Sequence, residues 1–262
     1  MNGPPVTMKV EDGVAWLTLA RPDARNAVSP ELAAALRDAA EACAGDDAVR
    51  CVVLTGAGRY FCVGGDIDLF ARAGASAEAE ILDLANTFHA GIHRLATMEK
   101  PLVTAINGPA AGGGLSLAIL GDIAIAAASS HFTVAYSAIG LTPDGGASWW
   151  LPRLVGLRRA QEMVLTNRRI GADEAASIGL VTRVVADADL TIAARDVATL
   201  LATGATRALG RCRALLMASA NADFATQLDT EAASIAAAAG GPEGREGVSA
   251  FLAKRQPDFS GF

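Results

Sequence analysis

One junction in this sequence constrains the fold more than any other. The apolar run 101–106 (PLVTAI) passes through Asn107 and Gly108 to the triplet Gly112-Gly113-Gly114, which runs straight into the helix-like segment LSLAIL. Consecutive glycines permit a turn that side chains would obstruct, and they leave the first amides of the following helix open. Runs 14–19 (VAWLTL), 50–55 (RCVVLT) and 122–126 (DIAIA) have the same short apolar character, with amphipathic stretches between them. Strand, helix, strand with right-handed crossovers gives an α/β layered fold. If the strands are parallel, loops at their carboxyl ends converge on one crevice. The glycine loops 56–65 and 108–114 and the turn Pro143-Asp144-Gly145-Gly146 are then expected to follow strands and to meet there.

The helices are bounded by ordinary signals. Ser29 suits an N-cap and Pro30 the first turn of a helix ending near Gly45. A long helix is expected over 76–98 and a short one over 114–120. Beyond about residue 190 the strand pattern stops, and helices are expected at 190–202, 205–218, 223–239 and 243–253, punctuated by Thr203-Gly204 and Gly240-Gly241-Pro242. Their apolar stripe is sparse, so they are expected to pack on the α/β body or on another subunit. Neither a repeat nor a low-complexity linker interrupts the chain.

Composition excludes several classes. With 52% hydrophobic and 19% charged residues over 262 positions, the chain is far from the disordered regime. A net charge of −6 and a pI near 5.1 provide no broad positive field for nucleic acid or an anionic membrane, so a polyanionic ligand must be held by local cations. The apolar stretch 108–128 contains Asp122, a carboxylate that would cost about 2.5–3.5 kcal/mol at membrane depth, and reads as a buried soluble segment. The N-terminal region has no apolar signal core and no basic presequence, which predicts a cytoplasmic protein. Cys43, Cys51, Cys62 and Cys212 lack CxxC or metal-type spacing and read as free thiols of a reducing compartment.

Two features carry chemistry. The triplet offers backbone donors to an anion or to a developing one such as a thioester enolate, where each preorganised donor is worth about 2.7–4 kcal/mol; it also reads as a tight turn alone. Asp144 is either an acid/base or the N-cap of a helix starting near Ala147. His89 and His93 stand at i, i+4 with no intervening Glu and no third ligand, so they read as packed or solvated helix residues and no metal site is expected. Trp149 and Trp150 read as core anchors or pocket wall.

Five segments, RPDARNAVSPEL (21–32), FCVGGDI (61–67), KPLVTAINGPAAGGGLSLAILGDIAIA (100–126), FTVAYSAIGLTPDGGASWWLPRLVG (132–156) and ADEAASIGLVTRVV (172–185), together resemble the enoyl-CoA hydratase/isomerase, or crotonase, family. The resemblance implies a ββα spiral core over 1–195 and a C-terminal helical region over 196–262 that builds homotrimers, with dimers of trimers as the larger form. It places an oxyanion hole at the amides of Gly65 and Gly113 and a coenzyme A site at Arg25, Ala27, Gly64, Asp66 and Ile67. Lys254 would reach the coenzyme A of a neighbouring subunit. Coenzyme A enters as part of an acyl-CoA thioester substrate, and no separate cofactor is implied.

Departures from the family pattern select a branch. The two glutamates of the hydratases are replaced by Ser116 and Tyr136, so the two-carboxylate hydration route has lost its groups. Asp144 remains, at the place where the family's isomerases, including those acting on ring-epoxide phenylacetyl-CoA, keep a single carboxylate. The implied reaction is a double-bond shift through an enolate, with Tyr136, Ser116 and His89 around the substrate. Three alternatives stand beside it. One is a hydratase with non-standard water activation. The second is a 4-chlorobenzoyl-CoA dehalogenase-like enzyme, matched at Asp144 and His89 but carrying Tyr136 where that branch has a Trp. The third is a catalytically silent acyl-CoA-binding protein.

Overall fold

A computed structural model describes residues 3–262. In chain order the elements are β1 (Val6–Glu11), β2 (Val14–Leu19), α1 (Pro30–Gly45), β3 (Cys51–Gly56), α2 (Ile67–Ala73), α3 (Ala77–Thr97), β4 (Leu102–Ile106), β5 (Ala110–Ala111), α4 (Gly113–Ala118), β6 (Ile123–Ala127), β7 (His131–Thr133), α5 (Ala147–Val155), α6 (Leu157–Thr166), β8 (Ile170–Gly171), α7 (Ala172–Ser177), β9 (Arg183–Val185), α8 (Leu190–Thr203), α9 (Thr206–Ser219), α10 (Phe224–Gly240) and α11 (Pro242–Leu252). Six strands form one sheet in the order β1-β2-β3-β4-β6-β9, and β5, β7 and β8 form a second, smaller one. Every pairing in the large sheet is parallel except β1 with β2.

The central strands are covered on both faces, which is why they read as unbroken apolar runs rather than as alternation. Leu17, Leu19, Val52, Leu54, Leu102 and Ile106 pack towards α1 and α3. Val53, Val103, Ala105 and Ile125 pack towards α8, which sets Leu190, Ala194, Ala198 and Ala202 against them at four-residue intervals. Ser29 caps α1 by accepting from the Leu32 amide, as expected. Helices α1 and α3 cross so closely that a Cβ on Gly91 would lie 3.0 Å from the Arg37 nitrogen.

One strand is unforeseen by the sequence pattern, and two expectations need correcting. β1 went unread because its pattern is mostly exposed, with only Val6 buried, as suits an edge strand. The turn at 143–146 does not follow a strand directly; a 3-10 turn, Ser137–Ile139, stands between it and β7. Asp144 is not the cap of α5: the cap position is Gly146, with no side-chain bond to the helix.

The C-terminal helices match their expected bounds within two residues. Residue 195 lies inside α8, whose buried face packs against the large sheet along its length. α9 joins the body through Arg213, which pairs with Asp122 at 2.6 Å and donates to the Met98 and Lys100 carbonyls. Buried Glu243 closes its amino end, accepting from the Arg207 and Ala208 amides at 3.0 Å each. α10 buries no residue at all.

Candidate active site

The carboxyl ends of β3 and β4 deliver two loops into mutual contact. Cys62 bridges to Ala110 and Val28 to Gly65, in parallel register. The approach leaves no room for side chains: a Cβ on Gly114 would lie 2.0 Å from the Cys62 carbonyl oxygen. Gly112 holds φ 52, ψ −129, a conformation that side-chain-bearing residues avoid. As a result Gly65 and Gly113 line the same cavity, of about 290 Å³, and neither amide donates to another group among the described residues. Phe70, Ile81, Leu82, Leu84, Ala85, Phe88 and Leu141 make its walls apolar.

The charged group in this cavity is Asp144. The Tyr136 hydroxyl donates to its Oδ1, and the Ser116 hydroxyl donates to its main-chain carbonyl at 2.9 Å. The amide of the next residue, Gly145, donates to His89 Nε2 at 2.9 Å, and that nitrogen lies 3.5 Å from Asp144 Oδ2. The Nε2 that accepts this hydrogen bond directs its lone pair at the Gly145 amide. Burial, and then the Asp144 charge beside it, push the Tyr136 phenol well above its ordinary value, so it stays a donor.

Four of the expected site residues, Gly65, Gly113, Tyr136 and Asp144, therefore line one cavity, and Ser116 joins them through Asp144. His89 is exposed, as a solvated helix residue would be, and does not line the cavity, but it also accepts from the loop that carries Asp144. Trp150 packs against the core, and Trp149 sits edge-on to it under the Arg153 guanidinium. Among the described residues no three His, Cys, Asp or Glu side chains gather as a metal site. The four cysteines are unpaired, and burial pushes the Cys51 and Cys62 thiols up to about 12.

The loop expected to hold coenzyme A is locked by residues that sequence reasoning passed over. Buried Asn26, at φ 55, donates to the Ala57, Tyr60 and Phe61 carbonyls and accepts from the Arg21 amide. Arg21 donates to the Ala27 carbonyl at 2.6 Å and pairs with Asp66 at 3.3 Å. Arg25 stays exposed with its guanidinium 5.7 Å from the Tyr60 ring centre, and Arg59 stands 5.9 Å from the same ring. Gly64 takes φ 93, and Ile67, at the start of α2, is exposed. Lys254 is exposed beyond α11 at φ 53.

Against known proteins, the family model described as enoyl-CoA hydratase/isomerase matches residues 9–261. The chain belongs to the enoyl-CoA hydratase/isomerase family. It is 40% identical to a 1,2-epoxyphenylacetyl-CoA isomerase of Escherichia coli (strain K12), over 96% of this chain and 97% of that one. It is 36% identical to a 4-chlorobenzoyl coenzyme A dehalogenase-2 of Arthrobacter sp, over 95% of this chain and 91% of that one. A crystal structure of an enoyl-CoA hydratase from Polaromonas sp. JS666 superposes with a TM-score of 0.93 at 33% identity, covering 97% of this chain and 98% of that one. The fold is thus the α/β crotonase fold of the enoyl-CoA hydratase/isomerase family, with C-terminal helices present, and its members act on acyl-CoA substrates. No helix among the described residues is long and apolar enough to cross a membrane.

Proposed function

We propose that the protein is an enoyl-CoA isomerase that moves a double bond through a thioester enolate, with Asp144 as the acid/base. The observation that carries this reading is a single carboxylate, Asp144, sharing an apolar cavity with the unengaged amides of Gly65 and Gly113. Hydration needs a group free to activate water. Ser116 and Tyr136 instead spend their hydroxyls on Asp144.

One base suffices for the isomerisation. Asp144 takes the α-proton; the C–H pair becomes the C1–C2 π bond as the carbonyl pair moves onto the thioester oxygen, where the two amides stabilise it. In the return step the C3–C4 π pair forms the new C–H bond with the proton of Asp144. The C1–C2 pair becomes C2–C3 and the carbonyl re-forms. The sum is redox-neutral and needs no separate cofactor. The likeness to an epoxyphenylacetyl-CoA isomerase supports a ring-epoxide phenylacetyl-CoA as a second substrate to assay.

Arg25, Ala27, Gly64, Asp66 and Ile67 are proposed to border the coenzyme A moiety, with Lys254 contributed across subunits. A homotrimer, or a pair of trimers, is the proposed assembly, supported by the exposed Leu216, Phe224, Ile235 and Phe251 on α9, α10 and α11.

The test is conversion of a 3-enoyl-CoA to the conjugated 2-enoyl isomer, followed by ultraviolet absorbance. Asp144→Asn is expected to lower kcat by about 10²–10⁴-fold with little change in KM. Wild-type enzyme that hydrates a 2-enoyl-CoA and isomerises nothing would overturn the reading. An aryl-CoA dehalogenase remains a second reading because His89 stands beside Asp144; chloride release from 4-chlorobenzoyl-CoA would establish it.

A further inference from the structure

Asp144 follows Pro143 and lies between Gly140 at φ 75 and the pair Gly145 and Gly146 at φ 60 and 84, a turn that needs contacts from outside to fix its side chain. Three contacts hold it, each from a different part of the chain. Tyr136, ahead of the loop, donates to the carboxylate. Ser116, on α4, donates to the Asp144 carbonyl at 2.9 Å, and His89, on α3, accepts the Gly145 amide at 2.9 Å. The clamp is also tight in space: a Cβ on Gly145 would lie 2.8 Å from Ser116 Cβ and 3.1 Å from Ile92.

We infer that His89, Ser116 and Tyr136 form a three-point clamp that orients Asp144, and that His89 is a positioning residue acting through the Gly145 amide rather than an acid or base. The inference rests on Asp144 being the base of the isomerisation proposed above. The Nε2 lone pair is already committed to Gly145, so this nitrogen has none left with which to take a proton from water. α3 carries both His89 and the wall residues Leu84, Ala85 and Phe88, so the contact ties the base to the surface against which the acyl group would lie. Misplacing a reacting group by about 1 Å costs about 10²-fold in rate. An unheld carboxyl turns readily, because its terminal torsion is broad.

Two variants separate a clamp from a base. Gln at position 89 presents an amide oxygen that can accept the Gly145 N–H, but it cannot take a proton; Leu can do neither. His89→Gln is expected to keep kcat within about threefold of wild type, and His89→Leu to lose about 10–100-fold, with KM within about twofold in both. A 3-enoyl-CoA deuterated at the α-carbon gives a second readout, the fraction of label carried to the γ-carbon. That fraction is expected to fall in His89→Leu and Tyr136→Phe, and to hold in wild type and His89→Gln. Melting curves exclude unfolded variants from the comparison. His89→Gln as inactive as His89→Leu, or label transfer unchanged in both His89→Leu and Tyr136→Phe, overturns the clamp while leaving the isomerase standing. Wild-type enzyme without isomerase activity overturns the isomerase itself.

Discussion

Tyr136 has two ties to its surroundings, a partly buried ring packed on the core and a hydroxyl committed to Asp144, and both favour the neutral phenol. The consequence for stability has a definite sign. The folded value lies above the ordinary 10.0, so above about pH 10 the unfolded chain loses this proton first. The native state then binds more protons, and stability falls as pH rises. Tyr136→Phe removes that component, so its melting temperature is expected to decline less steeply than that of wild type between about pH 9 and 11. Parallel slopes would show that the phenol is not held neutral. The same residue shows what single positions revealed in advance. Gly113 was legible because a glycine triplet after a parallel strand marks close backbone approach, whereas Gly65 and Asp144 were legible through the resemblance to the family's motifs. The resemblance placed His89 near the substrate, but its contact was not legible, because its partner is the Gly145 main-chain amide, 56 positions away, and a contact to backbone leaves no signature in residue types.

At the scale of elements, the strands that hide apolar side chains on both faces announced themselves, and so did the C-terminal helices. β5 and β8, of two residues each, could not, since no periodicity can be read from so short a run. The latch between the 21–28 loop and the 57–66 loop was equally silent. Asn26 in left-handed backbone resembles any turn residue until its side chain is seen to satisfy three carbonyls. Leaving such buried acceptors unpaired costs about 1–3 kcal/mol. Asn26→Ala is therefore expected to lower the melting temperature by several degrees and to weaken substrate binding more than it slows turnover. Scanning calorimetry and the KM against kcat split check both halves, and a variant with wild-type melting and KM would remove the latch from this account.

On the scale of the whole molecule, the exposed side chains of the C-terminal helices stand out in a chain with a well-filled interior. Phe224 is 79% exposed and Phe251 82%, with Leu216 and Ile235 above 70%. Monomers seldom carry so many large apolar groups in the open on one region. Light scattering behind size exclusion is expected to give three or six chains per particle. Phe224→Asp combined with Leu216→Asp is expected to give smaller species whose large sheet still folds, by circular dichroism. A wild-type monomer would assign these side chains to a different partner.

The cavity also divides its labour along the chain. Most of its apolar wall is drawn from 70–88, on α2 and α3, with Leu141 added from the loop of Asp144, whereas Gly65, Gly113 and Asp144 arrive on separate loops. α3 touches the loop of Asp144 through His89, which lies beyond the wall residues 81–85. A lineage could therefore rewrite residues 67–85 to admit new acyl groups while its proton chemistry went untouched, much as a key is recut on an unchanged blank. Grafting that stretch between relatives is the economical way to exchange their preferences.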